Sequence, residues 1–380
     1  MHGMRVSVHI DPSSADGNSR TVNRRIIALA LPTFGQLIAE PTFVLIDTAI
    51  VGHIGDTALA GLSIGSTIIL TAVGLCVFLA YSTTAQVAHL LGAGHRREGL
   101  QAGIDGLWLA LGIGIVLSLG LFAGAEPLCQ ALGGKGAVLD QAVAYTRAIV
   151  LGAPGMLLVY AANGIFRGLQ KVRITLIAAV SGAVMNAVLD VLFVIVLHWG
   201  IAGSGIATLI AQWYMGLFLV APAILWARAD GASLRPRIAG IAAAGGDGLP
   251  LFIRTLAIRA AMVATVACAA RMGTSVLAGF QAVNSSWNFA MNMLDSVGIA
   301  GQTLVATALG AGSVSRARQL TRATGRAGLV TGAIIGVVFA IVGLFAGHLF
   351  SPTPHVQILI AVGMVTMGVF FPLQGWDDGD

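Results

Sequence analysis

The stretch Phe43-Val-Leu-Ile-Asp47-Thr-Ala-Ile-Val-Gly-His-Ile-Gly55 sets the problem. From Phe43 to Val51 nearly every residue is apolar except one carboxylate at Asp47. A soluble core would have to give that acid a partner. A bilayer makes it more costly still, and there an ionisable residue marks a functional site by default. Composition decides between these two solvents. The 380 residues are 57% hydrophobic and 10% charged, with a mean hydropathy of +0.88. A soluble domain is about 25% charged. Fifty glycines supply the small faces on which membrane helices pack. The chain reads as an all-α polytopic membrane protein.

Apolar runs of about 20 residues or more, the length a bilayer crossing needs, predict ten spans: 26–52, 59–91, 101–124, 137–162, 172–197, 203–227, 247–270, 276–309, 324–348 and 356–373. Residues 1–25 form a polar tail with no signal-peptide core. Cys76, Cys129 and Cys268 show no metal or disulfide spacing and read as packing residues. Sixteen of the 21 basic residues fall in segments on the N-terminal side of the membrane, including Arg167, Lys171 and Arg173. By the positive-inside rule the N-terminus is cytoplasmic. The net charge of +5 is therefore a topology signal spread over several loops, and no nucleic-acid patch is expected.

The chain also repeats itself. At a constant shift of 218 residues, Leu31-Pro32 falls on Leu249-Pro250, Leu91-Gly-Ala-Gly94 on Leu309-Gly-Ala-Gly312, and Pro154 on Pro372. Six spans separate the copies, so both cross the membrane in the same direction. Parallel repeats that handle substrate between them are a transporter architecture. The expected organisation is a tail (1–25), an N-terminal six-helix lobe (26–230), a cytoplasmic linker (231–246) and a C-terminal lobe (247–380). A complete second copy would run to about 445, whereas the sequence ends at Asp380, the counterpart of Ala162. The second lobe should then hold about four helices, stand open on one side, and support weak efflux or none. The last span should be cut near the acidic "QGWDDGD" at 374–380.

Counting at ~1.5 Å per residue places Asp47, Asp190, Asn186, Tyr145 and Thr208 at similar depth in the outer half of the first six spans. Asn186 and Asp190 share a helix face. Two carboxylates with an amide, a phenol and a hydroxyl can hold H⁺ or Na⁺. Plainer readings stand beside this one. Asn186 could bond between helices, Thr208 to its own backbone, Tyr145 could anchor at an interface, and the two aspartates could pair with Arg147. Glu40 lies seven residues before Asp47 on the same face, and Pro32 and Pro41 permit a bend in the first helix. Asp295 and Gln302, an i, i+7 pair, are placed on the cleft wall. No nucleotide-binding loop, nucleophile or metal-ligand pattern appears, so neither an enzyme nor a cofactor is expected.

Five blocks carry a family resemblance: "DTAIVGHIGDTALAGL" from Asp47, "LLGAGHRREG" from Leu90, "NGIFRGLQ" from Asn163, "MNAVLDVLF" from Met185 and "LDSVGIAGQTLVATALGAG" from Leu294. With these the chain resembles the MATE (multidrug and toxic compound extrusion) transporters, and among them the DinF-like branch. The resemblance implies twelve helices in two six-helix lobes. It implies antiport of amphiphilic or cationic small molecules against H⁺ or Na⁺ in a bacterial cytoplasmic (inner) membrane. It also implies a cation site at Asp47, Asn186 and Asp190 with Tyr145 and Thr208, and a bending role for Pro32. Many DinF-like members carry Glu where Gln302 stands. The alternatives are a flippase for lipid-linked precursors from the same superfamily, which would need a cationic cleft, or a non-transporting remnant.

Overall fold

The computed structural model describes residues 19–345 and 354–379; the polar tail before Ser19 lies outside them. Among the described residues there are helices and turns and no strand. We number the helices α1 (Ser19–Gly52), α2 (Asp56–Gly74), α3 (Phe78–Gly92), α4 (Arg96–Ala123), α5 (Ala125–Ala131), α6 (Gly136–Val150), α7 (Ala153–Gly168), α8 (Val172–Asp190), α9 (Gly200–Ala229), α10 (Ile238–Arg271), α11 (Thr274–Gly310), α12 (Val314–Phe345) and α13 (Pro354–Gly379). A 3₁₀ turn at Leu75–Val77 joins α2 to α3, and a π-helical turn at Val191–Val196 continues α8.

The ten expected spans fall on these elements. Residues 56–92 form one span, and the fourth span is broken into α6 and α7, which meet at 45°. Gly152 and Pro154 open α7, and proline sits without loss of a hydrogen bond in a helix's first turn. By length and apolarity, eight described helices can cross a membrane, or nine with the bent pair. That is one fewer than ten. The one left out is α11, which is 37 residues long. It carries Asn284, Asn288, Asn292, Asp295 and Gln302 at helical spacing, and these dilute its apolarity. Boundaries differ as well. The α10 helix begins at Ile238, well inside the expected linker, because "IAGIAAAGG" is helical. The α13 helix continues through Trp376 to Gly379 and is not interrupted at the acidic end.

Bilayer solvent shows in what the helices expose. Val116, Leu119, Val180, Leu217, Val263, Val337 and Val369 are each more than half exposed. Lipid tails are as apolar as these side chains, so helices associate through close packing of small residues. The repeat is visible in those contacts. A Cβ on Gly114 of α4 would meet Pro154 Cα of α7 at 2.6 Å. Its counterpart on Gly332 of α12 would meet Pro372 Cα of α13 at 3.0 Å. A second contact maps onto itself under the repeat. A Cβ on Gly92 of α3 would strike the carbonyl of Thr307, and one on Gly310 of α11 would strike the carbonyl of His89. Exchanging the copies turns each half of this contact into the other, which is the signature of a two-fold interface. The two "LGAG" blocks are therefore the place where α3 and α11 cross backbone to backbone.

The connection between the copies is fastened to α4. Gln101, Asp105 and Trp108, spaced i, i+4, i+7, all reach it. Ser233 N donates to Gln101 Oε1 (2.7 Å), Trp108 Nε1 to the Leu234 carbonyl (2.9 Å), and Arg237 Nη2 to Asp105 (2.7 Å). Gly240 must lack a side chain because Asp105 lies against it.

Candidate functional site

Four helices bring the expected residues together. Asp47 comes from α1, Asn186 and Asp190 from α8, Thr208 from α9 and Tyr145 from α6. All five are at least 96% buried. The Asn186 amide donates to both carboxylates, to Asp47 Oδ1 at 2.7 Å and to Asp190 Oδ2 at 3.0 Å. The Thr208 hydroxyl donates to Asp47 Oδ2 at 3.1 Å. The i, i+4 spacing on α8 makes this bridge possible, because it stacks the amide one turn below the second carboxylate. The ring of Tyr145 is set by small neighbours. Gly65 of α2 would place a Cβ 2.5 Å from its Cδ1, and Gly205 of α9 approaches its other edge.

The plainer readings fare differently. Thr208 does not spend its hydroxyl on its own backbone. Asn186 does bond between helices, but its partner is the first carboxylate. Arg147 is exposed, with its guanidinium 5.8 Å from the Phe122 ring centre, so the expected alternative of an ion pair to the aspartates is not formed. Ser204 of α9, which the sequence reading passes over, joins the group. It is fully buried one turn before Thr208. Its Oγ lies beside Asp190 but, like Asn186 Oδ1 and Asp190 Oδ1, makes no hydrogen bond of good geometry. The Ser204–Thr208 spacing was the available signal.

A cavity of about 90 Å³ adjoins the site. Asp47, Tyr145 and Thr208 line it, and so do Gln36, Tyr160 and Asn163. Arg167 requires a correction. The sequence places it among the loop charges, but it lies inside α7 at 3% exposure and donates to Gln36 Oε1 at 2.6 Å. A short α7 followed at once by Lys171 looks like a loop boundary in the sequence. Only the packing of α7 among α3, α4 and α9 shows the guanidinium to be interior.

The other expected residues stand apart. Pro32 lies within α1, which runs unbroken through it and through Pro41. The side chain of Glu40 lies outside the described residues. Gln302 donates to the Tyr81 carbonyl at 3.2 Å, across the α3–α11 crossing, and does not join the carboxylates. Asp295 belongs to the surroundings of Arg167. Among the described residues no cluster of three or more His, Cys, Asp or Glu could hold a metal ion.

The sequence profile of the MatE family matches residues 32–192 and 250–376. The second match begins 218 residues after the first, which is the shift of the internal repeat. The chain belongs to the MATE family. Among curated relatives it is 30% identical to Protein DETOXIFICATION 44, chloroplastic, of Arabidopsis thaliana, over 84% of this chain and 63% of that one. It is 29% identical to the DNA damage-inducible protein F of Escherichia coli (strain K12), over 84% and 70% of the two lengths. It is 28% identical to the Multidrug resistance protein MdtK of Edwardsiella ictaluri (strain 93-146), over 79% and 67%. The chain thus spans about two thirds of these relatives. Its fold matches the crystal structure of MATE in the bent conformation, with a TM-score of 0.82 at 20% identity, covering 94% of this chain and 83% of that one. It also matches an outward-facing multidrug resistance MATE transporter of the MOP superfamily, with a TM-score of 0.81 at 22% identity, over 94% and 82%.

Proposed function

We propose that this MATE protein exports amphiphilic or cationic small molecules across a bacterial cytoplasmic membrane, its N-terminus inside, in exchange for H⁺ or Na⁺. The observation that carries the reading is the Asn186 bridge. Two buried carboxylates from different helices share one neutral amide, and among the described residues no basic side chain is bonded to either. Two like charges so placed resist full ionisation together. The pair is best satisfied when it holds one cation, and a proton does this with the least rearrangement. Sodium is the other candidate, and the unpartnered oxygens of Asn186, Asp190 and Ser204 are ligands of the hard type it takes.

The mechanism follows from which elements the bridge joins. Asp47 rides on α1, while Asn186 and Asp190 ride on α8. Neutralising the carboxylates relieves the cost of packing them together and permits α1 to shift against α8. That shift weakens the hold on a bound cationic substrate. Alternating access then has the two copies of the repeat, expected as N- and C-terminal lobes, moving about their crossing. The multidrug resistance named for MdtK supports the substrate class, and the acidic character of the site speaks against a pyrophosphate-binding flippase.

The test is dye efflux in inverted vesicles under an imposed ΔpH or Na⁺ gradient. Asp47→Asn and Asp190→Asn should each abolish gradient-driven efflux while membrane insertion persists. Wild-type gradient dependence in Asp47→Asn would sink the reading. Efflux that follows sodium at fixed pH and ignores ΔpH would assign the ion to Na⁺.

A further inference from the structure

The cavity beside Asp47 is lined by Gln36, which binds a buried guanidinium, and nothing in the coupling mechanism uses that charge. Tyr160, Asn163 and Arg167 are spaced i, i+3, i+7 and so share one face of α7. The first two line the cavity. The third is 97% buried and donates to Gln36, another lining residue, at 2.6 Å. Gln36 stands 11 residues before Asp47 on α1, or ~16 Å along the helix. One cavity therefore touches the carboxylate site at one end and the hydrogen-bond partner of a buried guanidinium at the other.

An arginine side chain keeps its proton in proteins. Inside a low-dielectric bundle its charge is poorly screened, and a lone arginine beside a narrow polar path is how some channels exclude cations. Asp295 of α11, with Tyr81 and Tyr160, lies in the surroundings of this guanidinium. The carboxylate offsets part of the charge from the second copy of the repeat. Near the guanidinium the cavity lining includes the neutral amides of Gln36 and Asn163. The Nε of Arg167 and the Oδ1 of Asn163 are both buried without a partner, so neither group is fully engaged elsewhere.

We infer that Arg167 is an electrostatic barrier that stops the coupling cation from running past Asp47 through the first copy without substrate exchange. This rests on the reading that Asp47 carries that cation. A plain packing role would not predict a leak, so leak is the readout. The 380-residue chain is reconstituted in liposomes with no substrate present, with entrapped pyranine reporting H⁺ and ²²Na⁺ reporting sodium. Wild type and Arg167→Lys, which keeps the charge, should show no flux above empty liposomes. Arg167→Gln should raise cation flux at least about tenfold, and adding Asp47→Asn should return it to baseline. Asn163→Asp leaves the arginine in place and sets a carboxylate one turn from it; it should leak as well. Monodisperse Arg167→Gln or Asn163→Asp protein that is as tight as wild type would overturn the barrier. So would a leak that survives Asp47→Asn. The two readings fail differently. Efflux indifferent to Asp47→Asn removes the coupling, whereas tight Arg167→Gln protein whose efflux still depends on Asp47 removes only the barrier.

Discussion

Asn186 occupies the position where one side chain decides whether two acids can coexist. Its amide nitrogen is the donor that joins Asp47 to Asp190. Asn186→Leu keeps approximate volume and removes that donor. Leaving a buried polar group unpaired costs about 1–3 kcal/mol, more where it is charged. Apparent affinity for the coupling ion should therefore change by roughly one to two orders of magnitude, at about 1.4 kcal/mol per tenfold. The dependence of efflux on ion concentration measures it. An unchanged half-saturating ion concentration would make Asn186 a spacer. The aspartates, Asn186, Tyr145 and Thr208 were legible in sequence because intramembrane polar residues are few and helix depth can be counted. Ser204 was not, since a serine among glycines reads as one more small packing residue.

At the scale of elements, contact between helices rests on absent side chains. Gly114 meets Pro154 between α4 and α7, and Gly332 meets Pro372 between α12 and α13. Gly112, two residues from Gly114, is exposed, and a Cβ added there would meet nothing within 4 Å. Gly114→Leu and Gly332→Leu should each destabilise the protein by about 1–3 kcal/mol through overpacking, whereas Gly112→Leu should be close to neutral. Thermal unfolding in detergent separates them, and equal responses at all three positions would mean that these close contacts do not set the cost. The α1 helix raises a related point. Gln36, the residue bonded to Arg167, lies between Pro32 and Pro41. Each proline removes a backbone hydrogen bond, so the segment most able to bend is the one pinned to α7.

For the whole molecule, α3 and α11 cross backbone to backbone at equivalent points of the repeat, and under the proposed mechanism this crossing is where the copies would part. Gly92 and Gly310 are equivalent under the repeat and bury their Cα faces on each other's helix. Gly92→Leu and Gly310→Leu should therefore have the same effect, widening the distance between spin labels on α3 and α11 and shifting the protein toward the form open at this end. Opposite or unequal responses would show that the contact is not two-fold. Residues 233–237 are held on α4 by Gln101, Asp105 and Trp108.

The sequence by itself determined the solvent, the spans and the repeat, because these depend on one-dimensional quantities: run length, charge count and a constant shift. It also let polar residues be placed at a common depth by counting, since a helix has a fixed rise. Tertiary structure alone decided which of them touch. Asp47, Asn186, Asp190 and Thr208 converge because α1, α8 and α9 present those faces to one another, while Gln302, equally plausible on its own helix, bonds the Tyr81 carbonyl instead. It also decided the place of Arg167. A positive charge near a span's end has the same sequence signature in a loop as in a core, and only the neighbours packed around it tell water from protein.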